Sequence, residues 1–148
     1  MIEAKINGEI VNIPTSWEDV PFKNYIKMLS ATNNIEILNS ITGIDKELLL
    51  QLAPDAFGTL FMLISFTNEP PNATAPKDLK FDIGKESYGK IEVAKAKINA
   101  AEKPYTVILD IIKLYTGADY SERPTNEANG VGAFFLLNSI NFSPDTNV

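Results

Sequence analysis

Residues 2–13 read IEAKINGEIVNI, and this stretch separates an α+β chain from an all-helical one. Ile2, Ala4 and Ile6 alternate with polar residues, and Asn7-Gly8 then interrupts the run. Asn-Gly favours a two-residue type I′ turn, in which both positions take positive φ. Such a turn sets Ile6 opposite Glu9, Ala4 opposite Val11 and Ile2 opposite Ile13. Ile2, Ala4, Val11 and Ile13 then share one face, so turn chemistry and apolar pattern agree on the register. A two-stranded ribbon is marginal alone and needs a helix to pack on.

Beyond Pro14 the pattern turns helical. Pro21 suits the first turn of a helix, and Phe22, Tyr25, Ile26 and Leu29 recur at spacings of three and four. Trp17 precedes this helix, where it covers the hairpin–helix junction or presents an aromatic anchor to a partner. Asn33 or Asn34 caps the next helix, which Gly43 stops in the left-handed conformation. Asp45 caps a third, Lys46 to Leu52. A fourth runs from Ala56 to about Thr67 and is apolar nearly all round, as expected of a helix central to the core or half covered by another chain. Residues 68–78, with Pro70, Pro71 and Pro76, read as a linker. Leu79, Phe81 and Ile83 alternate like a strand. A helix from about Tyr88 to Ala101 places Ile91, Ala94, Ile98 and Ala101 on one face, and Pro104 opens another helix that ends at Gly117. A polar stretch from Ala118 to Gly130 leads to an apolar run from Val131 to Ile140.

The two halves echo each other. Residues 35–45, IEILNSITGID, match residues 109–119, LDIIKLYTGAD, at a constant offset of 74. Both close on Thr-Gly-x-Asp. The expected fold is therefore α+β and mostly α: an N-terminal β-hairpin followed by short helices in a single domain, 1–148. Two similar halves, about 1–67 and 79–140, are joined by the Pro-rich linker. Either a strand–helix–helix unit is duplicated, or short capped helices simply look alike.

Composition narrows the function. The chain has 13 Lys+Arg against 19 Asp+Glu, a formal charge of −6. Nucleic-acid binding draws on a basic surface that displaces counterions, so neither nucleic acid nor an anionic membrane is the expected partner. There is no cysteine and no histidine. That removes thiolate chemistry, the commonest general base and the commonest metal ligand. The longest apolar stretch, Ala56 to Phe66, is about 11 residues, and a membrane span needs about 20. GKESYG, residues 84–89, lacks phosphate-loop spacing, because its lysine does not follow the second glycine. NEANGVG, residues 126–132, reads as a helix lead-in or a loop that orders on a partner. The carboxylates show neither calcium-loop nor metal-ligand spacing. Lys85, Lys90, Lys95, Lys97 and Lys103 thread the helix after the linker and read as a solvated face. No cofactor, metal or catalytic residue is expected.

The opening INGEIVNIPTSWEDVPFKNYIKML, residues 6–29, resembles small structural and assembly proteins of tailed bacteriophages, of the contractile-tail and crAss-like kinds. The resemblance rests on a short hairpin, then Ile13, Pro14 and Trp17, then the aromatic-led helix of Phe22, Tyr25 and Ile26. LKFDIGKESYGKIEV, residues 79–93, has a similar look. The resemblance implies a non-enzymatic virion component: head–tail connector, neck or baseplate piece. Such a chain is made in the host bacterial cytoplasm and contacts other phage structural proteins or copies of itself in a ring. A tail-assembly chaperone or adaptor absent from the mature particle is the first rival. A carboxylate-dependent enzyme, with two acids converging in an apolar cleft, is the second. The contact residues expected are Trp17, Phe134, Phe135 and Phe142.

Overall fold

The computed structural model describes residues 1–143. Strands β1 (Ile2–Ile6) and β2 (Glu9–Ile13) form an antiparallel hairpin. Among the described residues seven α-helices follow: α1 (Phe22–Met28), α2 (Asn34–Thr42), α3 (Lys46–Gln51), α4 (Pro54–Leu63), α5 (Tyr88–Ala100), α6 (Ile108–Thr116) and α7 (Thr125–Asn141). The architecture is α+β and mostly helical. The hairpin register is the one the turn dictates, Ile2 with Ile13, Ala4 with Val11 and Ile6 with Glu9. Asn7 and Gly8 take φ of 50° and 84°.

Two apolar clusters hold these elements. The first gathers Ile6 and Ile13 of the hairpin, Val20, Leu38 and Ile41 of α2, Leu49 of α3 and Leu60 of α4. The second gathers Ala94 and Ile98 of α5, Ile111, Ile112 and Tyr115 of α6, and Val131 and Phe135 of α7. Phe22, on α1, belongs to the second cluster although it lies early in the chain, and Tyr25 touches both. The helix after the hairpin therefore ties one cluster to the other.

The Thr-Gly-x-Asp echo is real as local geometry. Gly43 and Gly117 take φ of 75° and 74°, which ends α2 and α6 in the left-handed conformation that glycine adopts without a Cβ penalty. Asp45 then accepts from Glu47 N, and Asp119 from Ser121 N. The surroundings differ, however. The second half has no hairpin, and α2 is followed by two helices before the linker whereas α6 leads into α7.

Two expectations are corrected. Residues 79–83 form no strand: the hairpin is the only sheet among the described residues. Leu79 and Phe81 do turn inward on alternate positions, but they pack against helices and meet no strand that could accept a ladder. The Phe81 ring lies 5.1 Å from Tyr115, 5.9 Å from Phe134 and 4.8 Å from Phe135. The final helix begins at Thr125, not after the glycines. Gly130 and Gly132 lie inside α7 because neighbours come close there. A Cβ at Gly130 would stand 2.1 Å from the Thr74 carbonyl oxygen, and one at Gly132 would stand 2.6 Å from Ile108 Cγ2. The Pro-rich segment thus crosses α7 at a glycine notch, where Asn129 Nδ2 also donates to the Asn72 carbonyl at 3.2 Å.

Candidate interaction surface

The expected contact residues fall into different environments. Trp17 is half-buried and stands edge-on to Tyr25 and to Phe66, each at 5.1 Å. Its indole N–H donates to the Glu69 carbonyl at 3.0 Å. The ring therefore fastens the junction after the hairpin to the start of the Pro-rich segment. Phe135 is 1% exposed and stacks with Tyr115 at 5.2 Å. As a contact residue it is corrected, since a ring that fills the core leaves nothing for a neighbour to touch. Phe134 is half-buried beside it, edge-on to both Phe81 and Phe135. Phe142, just past α7, is half-buried with Lys95 Nζ 5.9 Å from its ring and 2.7 Å from its carbonyl oxygen. The structure does not bring the four together.

A different surface is more exposed. On α3, Leu50 is 70% exposed, and on α4, Met62 is 76% exposed. Helix α4 and Leu52, the residue after α3, wall a groove of about 310 Å³ against β1. Its floor and far side come from Leu52 and from Ala56, Thr59, Leu60 and Leu63 of α4. These α4 residues recur at spacings of three and four, so they form one stripe. Its near side is Ala4, Lys5, Ile6 and Asn7. Local sequence explains the arrangement. Pro54 starts α4 by occupying a position whose N–H needs no partner, and the helix is apolar on more sides than one core can cover. Leu60 is its one fully buried side chain, and Phe57, Phe61 and Leu63 are partly covered. The all-round apolar character of α4 was the sequence signal for this surface. That signal singled out neither Leu50 nor the strand that borders the groove.

Three carboxylates are held in their ionised form. Asp19, Glu36 and Asp119 are each held below the usual carboxylate range, chiefly by the backbone N–H of Thr15, Thr32 and Ser121 respectively. Downward displacement keeps a carboxylate ionised, the opposite of a proton donor poised near neutrality. Tyr115 is pushed up by burial. Its hydroxyl shares a 2.8 Å hydrogen bond with Ser139, whose own O–H donates to the Phe135 carbonyl. That chain orients a core tyrosine. Among the described residues no cluster of acidic side chains has metal-binding geometry, and no helix is long and apolar enough to cross a membrane. No protein-family model, curated protein or solved structure matches this chain.

Proposed function

We propose that this chain is a structural or assembly component of a tailed-phage particle, of connector, neck or baseplate type, acting through protein–protein contacts without catalysis. The observations that carry the contact role are two on the same stretch of chain: Leu50 of α3 and Met62 of α4 are open to solvent, and the Ala56, Thr59, Leu60 and Leu63 stripe of α4 lines a groove against β1. Large exposed apolar side chains and a concave apolar strip are what a partner buries. The phage setting is supported by the resemblance of residues 6–29, in which Trp17 packs edge-on to Tyr25 and Phe66 at the junction after the hairpin. The partners are other particle proteins or further copies of this chain.

The test combines particle composition with surface variants. Purified particles are analysed for the chain, and Leu50→Glu with Met62→Glu is introduced in the producing phage. The chain is expected in the particle, and the double variant is expected to be left out while the isolated protein keeps its helical spectrum. Absence of the wild-type chain from particles, with formation still dependent on it, would move the reading to an assembly chaperone. Turnover of a small molecule, abolished by one Asp or Glu substitution, would end the contact reading.

A further inference from the structure

The hairpin carries a free edge whose chemistry is self-complementary. In a two-residue turn the flanking residues, here Ile6 and Glu9, exchange both backbone hydrogen bonds. Along the observed register, Ala4 with Val11 and Ile2 with Ile13 have the same parity. The N–H and C=O groups of Glu3 and Lys5 therefore point away from β2. β1 and β2 are the only strands among the described residues, so no strand there receives these groups. Glu3 and Lys5 are also exposed at their side chains.

We propose that β1 pairs with β1 of a second copy, antiparallel and centred on Ala4, joining two hairpins into one four-stranded sheet. In that register Glu3 faces Lys5 of the other copy, and Lys5 faces its Glu3. Both pairs have the parity that exchanges backbone bonds, so the outward groups of both strands are used together. Other registers fail on charge. Parallel pairing sets Glu3 on Glu3 and Lys5 on Lys5. Antiparallel pairing centred on Glu3 or on Lys5 sets like charges on the dyad. Charged edges ordinarily discourage strand addition; here one arrangement converts the deterrent into two favourable cross-strand pairs. The faces agree as well. Ile2 comes to lie opposite Ile6 of the second copy, and Ile2 is 44% exposed in the single chain. The groove between β1 and α4 lies on the apolar side of this edge, where the added strand presents its own Ile2 and Ala4. The contact is isologous and closes as a dimer. It goes beyond the particle role and does not depend on it.

Sedimentation equilibrium on the full chain provides the test. The mass should rise with concentration from 16.3 kDa towards twice that value. Glu3→Lys and Lys5→Glu should each weaken association about tenfold or more, since each places like charges in both symmetric pairs. The double swap should restore it, which a merely damaged hairpin would not do. Ala4→Cys introduces the only thiol in a chain without cysteine, at a non-hydrogen-bonded pair on the dyad where Cβ atoms come within disulfide reach. Mild oxidation should give a covalent dimer, and Ile10→Cys on β2 should not. A mass fixed at 16.3 kDa at every concentration overturns the inference. So does a double swap as weak as the single ones, or cross-linking equal at positions 4 and 10. Loss of the dimer with the chain still present in particles would remove this inference alone.

Discussion

The backbone N–H of Phe22 donates to the carbonyl of Arg123 at 2.8 Å, across about 100 residues of chain. Thr125 N–H returns the bond to the Val20 carbonyl at 2.9 Å, so Val20-Pro21-Phe22 and Arg123-Pro124-Thr125 form a small antiparallel bridge. Each central proline lacks an N–H, and the residue after it both donates across the bridge and begins a helix, α1 or α7. Two of the helices that line the second cluster are thus launched from one shared contact. This is why an early residue, Phe22, lies in a core built mostly from the far end of the sequence.

Thr125 strengthens that bridge with its side chain. Its Oγ1 donates to the Val20 carbonyl at 2.7 Å, and the residue is fully buried. Thr125→Val keeps the shape and removes one bond, so a loss of about 1 kcal/mol is expected. Urea unfolding should show a lower midpoint with an unchanged slope. No change would mean that the bridge is held by its backbone bonds alone.

One substitution should act with opposite signs in two helices. Gly58 in α4 has open space around an added Cβ, whereas Gly130 in α7 would drive one into the Thr74 backbone. Gly58→Ala should stabilise by up to about 1 kcal/mol through helix propensity. Gly130→Ala should destabilise despite the same propensity gain, because the Pro-rich segment must lift. Thermal melts of the two variants check this, and a rise for both would show that the segment yields freely.

The sequence was readable wherever a short-range rule decided the outcome. Asn7-Gly8 set the hairpin register, Gly43 and Gly117 set two helix ends, and the spacing of Ile91, Ala94 and Ile98 set the buried face of α5. It misled where a distant neighbour decided. Leu79 and Phe81 alternate like a strand because a helical core lies on one side of them. Gly130 and Gly132 allowed a helix lead-in or a loop, and what sets them inside α7, the Thr74 backbone and Ile108, is remote in sequence. Phe135 and Phe134 look equivalent as adjacent rings, and only the placement of α7 decides which is buried. The groove beside α4 was half legible: the surplus of apolar residues could be seen, but not which strand would border it.

Three carboxylates should set the acid limb of stability. Asp19 accepts from Thr15 N and Oγ1 at 3.2 and 3.3 Å, Glu36 from Thr32 N at 2.7 Å, and Asp119 from Ser121 N at 2.9 Å. In each the folded-state pKa lies below the ordinary value, about 4 in the unfolded chain. The unfolded state then binds protons first as pH falls. These groups contribute fully above pH of about 4–5, and the contribution is lost as pH drops through the lower folded values. The urea midpoint should be flat near neutrality and fall below about pH 4. Combining Asp19→Asn, Glu36→Gln and Asp119→Asn should flatten that fall, and an acid limb of undiminished steepness would locate the linkage elsewhere.

The paired helix stops allow local geometry to be separated from context. Thr42 Oγ1 donates to the Leu38 carbonyl at 2.6 Å and accepts from Ile44 N at 3.2 Å. Thr116 Oγ1 donates to the Ile112 carbonyl at 2.7 Å and accepts from Ala118 N at 3.1 Å. The bonds are nearly the same, but Ile44 is 4% exposed and Ala118 is half-exposed. Removing an acceptor costs most where water cannot replace it. Thr42→Val is therefore expected to destabilise by about 1–2 kcal/mol and Thr116→Val by less than about 1 kcal/mol, compared by urea unfolding. Equal losses would mean that the stop motif carries its own energy wherever it is placed. A larger loss at Thr42 would mean that burial of the residue after the glycine sets the difference, and that the two halves share a sequence device without sharing its energetic role.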